Sequence, residues 1–273
     1  MTDPMDFATL ERQGWAEEDT AASYARDFAR ASEMAVPALV AECAARRDRT
    51  ALDLCCGHGI VARGLVALGA EVTGCDFSPA MLRIARSSVL GARFVEGDAM
   101  ALPFEDASFD AVTIGFGMPR VPDPSTVMAE ARRVLKPGGR LAYSVWEDTE
   151  LSAMTYVFAA IMQHGAPDIE LPPGPGATDY ADPKRAFPAM ETAGFCDLRC
   201  LTVASEWQID DPAAPFNFFK DGTVRGGALL RPQPDANKDA IRAAVVSKVV
   251  ANHGTDGPWK VPMPSIVISG KAK

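Results

Sequence analysis

Three short apolar runs end on residues able to hold a small polar ligand. The first, ALDLCC at 51–56, runs into Gly57-His58-Gly59 and then into a helical pattern. Glycines at such a junction let the backbone approach a ligand closely, and the following helix N-terminus offers unpaired N–H groups. Taken alone, this turn is shared by dinucleotide folds and by purely structural junctions. The second run, AEVTGCD at 70–76, ends on Asp76, whose carboxylate can accept hydrogen bonds from two ribose hydroxyls. A solvated strand-end aspartate that caps the next helix is the competing reading. The third, ARFVEGD at 92–98, ends on Asp98, which can accept a hydrogen bond from an adenine amino group. Phe77 and Met81 offer apolar walls for a flat ring, although core packing explains Phe77 equally well.

These residues need elements to position them. The apolar runs read as strands, and helical periodicity follows each of the first two: IVARGLVALG (60–69), and a helix from Ser78 as N-cap and Pro79 at the first helical position to about Ser88. FDAVTIGFG (109–117) and RLAYSVWE (140–147) read as a fourth and fifth strand around a helix over 125–135, stopped by KPGG at 136–139. Such alternation predicts a parallel sheet covered on both faces, with every strand's C-terminal end on one edge. Residues 15–47 read as helical and divided by Pro37. Beyond 147 the pattern gives helices over 151–164, 184–193, 212–219 and 237–250, a Pro- and Gly-rich loop or lid at 166–183, a strand over 196–209 and a terminal strand over 261–273. The fold class is therefore α/β: a Rossmann-like doubly wound, mostly parallel seven-stranded sheet with an N-terminal helical cap and lid insertions. One domain is expected, with 1–48 as cap, 49–147 as the ligand-binding half and 148–273 as lid, substrate-facing helices and C-terminal strands.

Composition narrows the function classes. The 273 residues carry a formal charge of −9, with 48% hydrophobic residues, which excludes a mostly disordered chain. An acidic surface repels phosphate backbones and anionic membranes, so neither nucleic acid nor membrane is the expected partner. RGG at 225–227 is a single copy of an RNA-binding repeat in an acidic chain and reads as a turn. No apolar run approaches the roughly 20 residues of a membrane span, and MTDPMDFATLERQ lacks the basic start and continuous apolar stretch of a signal peptide, so the expected location is the cytoplasm. The six cysteines read as buried small hydrophobes in a reducing compartment, and no His/Cys cluster has zinc-ligand spacing, so no metal is expected.

With a glycine turn and two acids at successive strand ends, the sequence resembles the class I methyltransferases that use S-adenosylmethionine, and within them the ubiquinone/menaquinone-biosynthesis (methyltransferase type 11) group. The matching stretches are LDLCCGHG (52–59), CDFSPAML with Asp76, EGDAMALPF with Asp98, FDAVTIGFG, and RVLKPGGRLAYSVW. The resemblance covers about residues 49–147. It implies that Asp53, with the backbone of Cys55, Gly57 and Gly59, holds the methionine part of S-adenosylmethionine. Asp76 would hold the ribose, Asp98 and the Ala99 N–H would read the adenine, and Gly115 and Phe116 would line the sulfonium. Tyr24, in the N-terminal helical region, matches a tyrosine that covers the cofactor, while packing on the core explains it equally well. Two departures stand out. Cys55 occupies a position where the family often has glycine, with little effect expected on binding. GMPRVPD (117–123) has Pro119-Arg120 in place of an Arg-Asn pair, which counts against a quinone-type substrate.

The implied reaction is in-line methyl transfer to a small molecule, leaving S-adenosylhomocysteine. Because the donor is already activated, the protein mainly aligns the reactants, and a base is needed only where the nucleophile must lose a proton. His164, Tyr156 and Asp148 are the candidates, and none is singled out. His164 also suits a helix C-terminus, His58 shapes the turn or meets the cofactor carboxylate, and His253 lies in a Gly-rich loop. Two other readings stay open: an NAD(P)-dependent oxidoreductase on the same fold, and a scaffold protein that binds the cofactor without catalysis. The glycines do not separate them, since Ala62 is a tolerated variant of the third fingerprint glycine. Asp98, KPGG and the lack of a second glycine fingerprint favour S-adenosylmethionine. The methyl acceptor, the atom methylated and the oligomeric state are not readable.

Overall fold

A computed structural model describes residues 5–273. Residues 1–4, the beginning of the expected cap and of the stretch read for a signal peptide, lie outside the described residues. The helices are α1 (Phe7–Ala16), α2 (Glu18–Asp27), α3 (Ala29–Glu33), α4 (Val36–Glu42), α5 (Ile60–Ala67), α6 (Pro79–Ser88), α7 (Pro124–Val134), α8 (Ala153–His164), α9 (Pro183–Thr192), α10 (Ala214–Asp221), α11 (Val224–Leu230) and α12 (Asp235–His253). The strands are β1 (Thr50–Leu54), β2 (Glu71–Asp76), β3 (Ala92–Glu96), β4 (Phe109–Gly115), β5 (Leu135–Trp146), β6 (Phe195–Val203), β7 (Glu206–Ile209), β8 (Trp259–Pro262) and β9 (Ser265–Ala272). The chain divides into two compact units. One comprises the stretch up to Ala31, Asp148–Pro173 and Ala204–Pro264; the other comprises Ser32–Glu147, Gly174–Val203 and Ser265–Lys273.

The second unit holds the expected sheet. Its order is β3-β2-β1-β4-β5-β9-β6, and β9 alone runs antiparallel to its neighbours. Side chains alternate across the strands and build two cores. On one face Leu52, Leu54, Val112 and Ile114 pack with Val127, Met128 and Ala131 of α7 and Ala186 and Met190 of α9. On the other, Ala51, Val72 and Ala111 pack with Leu39 and Val40 of α4 and Val61, Ala62 and Leu65 of α5. Helices thus cover both faces, as a parallel sheet requires. Proline occupies the first turn of α4, α6, α7 and α9, where its missing N–H costs nothing, and Ser78, Asp123 and Asp182 cap the last three.

The first unit is mostly helical, with β7 and β8 paired antiparallel as a separate two-stranded sheet. Five expectations are corrected here. The region 15–47 breaks into four short helices beginning at Phe7, more than the two expected, and the expected division at Pro37 falls between α3 and α4, with Pro37 in the first turn of α4. The stretch 196–209 is two strands in different sheets, and so is 261–273. The RGG at 225–227 lies inside α11, capped by the Thr223 hydroxyl accepting from Gly226 N, so it is a helix and not a turn. Cys200 is exposed, unlike the buried Cys43, Cys56 and Cys75. Among the described residues no helix is long and apolar enough to cross a membrane.

Candidate active site

Parallel pairing of β1 with β2 and β4, and of β2 with β3, places four strand ends side by side. The turn after β1 is left-handed at Cys55 (φ 53°), Gly57 (φ 51°) and Gly59 (φ 89°). It closes with Cys56 N donating to Cys75 O at 3.1 Å and Gly59 N to Cys56 O at 2.9 Å. Asp76 ties the neighbouring ends together. Its Oδ2 accepts from Gly57 N at 2.8 Å and its Oδ1 from Ser78 N at 2.8 Å. Asp76 is therefore buried, not solvated as the competing reading had it, and it braces the glycine turn and the start of α6 at once. Burial raises its pKa against the pull of those N–H groups.

Asp53 requires a correction. Residues Leu52 and Leu54 face the α7 side, so alternation turns Asp53 toward α5. There it is fully buried, accepting from Ala62 N at 2.8 Å and from the Thr113 hydroxyl at 3.1 Å. Its side chain anchors α5 beneath the turn and has no surface for a ligand. Burial pushes its pKa up to about 7. His58 is also buried, and desolvation holds its pKa down at about 4. The imidazole is thus neutral at ordinary pH and offers no positive charge to a carboxylate. Burial raises the thiols of Cys55 and Cys56 well above their ordinary range, so neither is a thiolate nucleophile.

Asp98 is half-buried beyond the end of β3, with Oδ1 accepting from Met100 N at 2.9 Å and Ala101 N bonded to its carbonyl at 3.0 Å. Ala99 and Met81 are buried and Phe77 is half-buried. At the end of β4, a Cβ on Gly115 would lie 2.8 Å from Val61, so strand and α5 approach closely there. Phe116 follows in a left-handed conformation (φ 58°), its N–H directed at the Ser144 carbonyl (3.0 Å) and hydroxyl (3.3 Å). Its ring stacks on Trp146 with centroids 3.9 Å apart. Thr113 and Ser144 escaped the sequence reading because small hydroxyl residues inside apolar strands carry no pattern of their own.

The remaining candidates lie in the first unit. Tyr24 is half-buried, its ring meeting those of Trp15, Phe28 and Phe218. Asp148 accepts from the Thr155 hydroxyl at 2.5 Å, in the first turn of α8. His164 ends α8, where a helix terminus favours it. Tyr156 is buried, and its hydroxyl meets His253 Nε2 at 3.0 Å, a pairing that their separation in sequence concealed. Burial raises the Tyr156 pKa and lowers that of His253.

A sheet of this order, with a carboxylate-braced turn at the first two strand ends, defines a Rossmann-like doubly wound fold. Residues 52–143 match the family described as "Methyltransferase domain", the type 11 group. A stretch of 100 residues is 50% identical to the demethylmenaquinone methyltransferase of Staphylococcus aureus strain MRSA252, taking in 34% of this chain and 42% of that protein. The chain thus matches about two fifths of the length of that curated relative. Among solved structures, the YcgJ protein of Bacillus subtilis is similar with a TM-score of 0.55 at 20% identity, over 88% of this chain and 98% of that one. The Haemonchus contortus phosphoethanolamine N-methyltransferase 2, solved with phosphomonomethylethanolamine and S-adenosylhomocysteine, gives 0.57 at 15% identity, over 100% of this chain and 61% of that one. At these identities the structures speak for the fold.

Proposed function

We propose that the chain is an S-adenosylmethionine-dependent methyltransferase that acts on a small molecule by in-line transfer and releases S-adenosylhomocysteine. The observation that carries this reading is Asp76 bonded to both Gly57 N and Ser78 N, which makes one preformed edge of the first two strand ends. The residues suit the cofactor. A Cβ built on Gly57 would meet nothing within 4 Å, so the turn faces open space where a ligand backbone can approach. S-adenosylmethionine supplies an activated methyl group, and the chain's task is alignment. The backbone at Cys55, Gly57 and Gly59 holds the amino-acid end. Asp76 holds the ribose, Asp98 and the Ala99 N–H read the adenine between Phe77 and Met81, and Gly115 and Phe116 border the methyl-bearing centre. Stacking on Trp146 keeps the Phe116 ring fixed.

The charge of −9 supports a small acceptor over a polyanion or an anionic membrane surface, and a cytoplasmic location belongs to the same reading. The quinone named for the Staphylococcus relative belongs to that protein; Pro119-Arg120 in this chain speaks for a different acceptor. Calorimetric titration with S-adenosylmethionine and S-adenosylhomocysteine is the test. Binding of both is expected, and Asp76→Ala should weaken each at least about tenfold, the loss of one charge-assisted hydrogen bond. A folded wild-type protein that binds neither, or that instead quenches nicotinamide fluorescence on mixing, overturns the reading.

A further inference from the structure

The loop that carries Asp98 and Ala99 has little structure of its own, since Asp98 and Ala101 form its single β-bridge. Its start is tied to β2 by Gly97 N donating to Asp76 O at 3.0 Å, and its later residues are held by the last turn and a half of α7. Glu130 Oε2 accepts from Leu102 N at 2.7 Å. The Arg133 guanidinium donates to Leu102 O (3.1 Å), Phe104 O (2.8 Å) and Asp106 (2.8 Å), and pairs with both oxygens of Glu130 at 2.8 Å. The Arg133 main-chain carbonyl also accepts from Ala107 N at 3.0 Å, at a residue with φ 52°. Thus residues 102, 104, 106 and 107 are all held from one helix end. Leu102 directly follows Ala101, whose N–H is bonded to the Asp98 carbonyl. The planar fork of arginine suits this task, because one rigid group satisfies two carbonyls and two carboxylates together. The pairing draws the Glu130 pKa down, so the carboxylate stays charged through the neutral range.

We infer that Arg133 and Glu130 are positioning residues for cofactor-base specificity: they set the height of the Asp98–Ala99 loop, and so decide whether a 6-amino purine is told from a 6-oxo purine. This rests on the proposed cofactor reading. An adenine offers an amino donor to Asp98 and a ring-nitrogen acceptor to the Ala99 N–H, whereas hypoxanthine reverses both. Discrimination therefore requires the loop to sit within hydrogen-bond range, and a loosened loop loses selectivity before it loses the rest of the binding energy. Neither residue is placed against the ligand.

The experiment measures affinity for S-adenosylhomocysteine and S-inosylhomocysteine in the full chain, wild type, Arg133→Ala and Glu130→Gln, with thermal melts alongside. Wild type should prefer the adenosyl ligand by at least about tenfold. Arg133→Ala should weaken the adenosyl ligand about tenfold and leave the inosyl ligand within about twofold, so that the preference collapses. Glu130→Gln keeps the oxygen that receives Leu102 N and should retain part of the preference. Should Arg133→Ala fail to fold, Glu130→Gln decides alone, by a reduced preference in a protein with wild-type melting. Equal weakening of both ligands, or no weakening, overturns the inference while leaving the cofactor reading intact. A folded wild type that binds neither ligand overturns both.

Discussion

At the scale of single residues, Asp53 shows how strand parity decides what a carboxylate can do. The stretch LDLCCGHG carries the acid directly before the glycine turn, which invites a ligand role. The pleat instead turns it inward onto Ala62 N and Thr113. Its pKa is raised to about 7 from an ordinary 3.8 by burial. Below about pH 4 the group is protonated in the folded and unfolded chain alike. Between about pH 4 and 7 the unfolded chain releases the proton and the folded chain keeps it, so this group's contribution falls as pH rises through that window. Asp53→Asn keeps an acceptor for Ala62 N and has no charge to bury. Relative to wild type it should gain on the order of 3–4 kcal/mol between pH 4 and 8, the pKa difference converted at 1.36 kcal/mol per unit. Urea denaturation at several pH values checks this; parallel profiles for the two proteins would remove Asp53 as a buried titrating group.

At the scale of elements, the turns after β1 and β4 pack on each other through Cys55 and Gly117. A Cβ on Gly117 would fall 2.5 Å from Cys55 Cβ and 2.9 Å from Ile114 Cγ2. Cys55 in turn holds a left-handed conformation that glycine adopts more readily. Gly117→Ala should therefore cost about 2 kcal/mol by overpacking. Cys55→Gly should be nearly neutral, because relief of a left-handed side chain, about 1–2 kcal/mol, is offset by lost contacts and the freer unfolded chain. The double variant should be more stable than Gly117→Ala alone by about 1 kcal/mol, a coupling that chemical denaturation of the four proteins reads directly. Strict additivity would mean that the two turns do not sense each other. The same scale explains what could be read in advance. Strand runs, the Ser78-Pro79 start of α6 and the glycine turn are local signals, and each element stands within a few residues of its expected place. α11 escaped because VRGGALL has poor helix propensity, yet a Cβ on Gly226 would lie 2.3 Å from Phe219 O, so packing against α10 demands glycine there. β7 and β8 escaped because two four-residue strands find each other across about fifty residues of chain. The Arg133 clamp is likewise a set of backbone contacts that no residue spacing announces.

At the scale of the whole molecule, each compact unit is assembled from separated stretches of chain, and the second unit takes its penultimate strand from the C-terminal end. β9 lies between β5 and β6, pairing Arg140–Trp146 on one side and Phe195–Val203 on the other. Ile266 and Ile268 join the core on one face of the sheet and Val267 the core on the other. Ser269 also closes a polar contact, with its hydroxyl donating to Glu42 at 2.6 Å and accepting from Arg140 at 3.2 Å. Burying three such aliphatic side chains contributes roughly 5–9 kcal/mol, against a total stability on the order of 5–15 kcal/mol for a domain. Without β9 both of its neighbours would present unpaired edges, and β6 would have no partner in the sheet. A chain ending at Pro264 should therefore lack a cooperative thermal transition and bind hydrophobic dyes, even though residues 52–143, the part matched to the methyltransferase family, would be untouched. A truncated protein that melts cooperatively near the wild-type temperature would show that β1–β5 and their helices suffice, and that the C-terminal strand completes the sheet without being needed to form it.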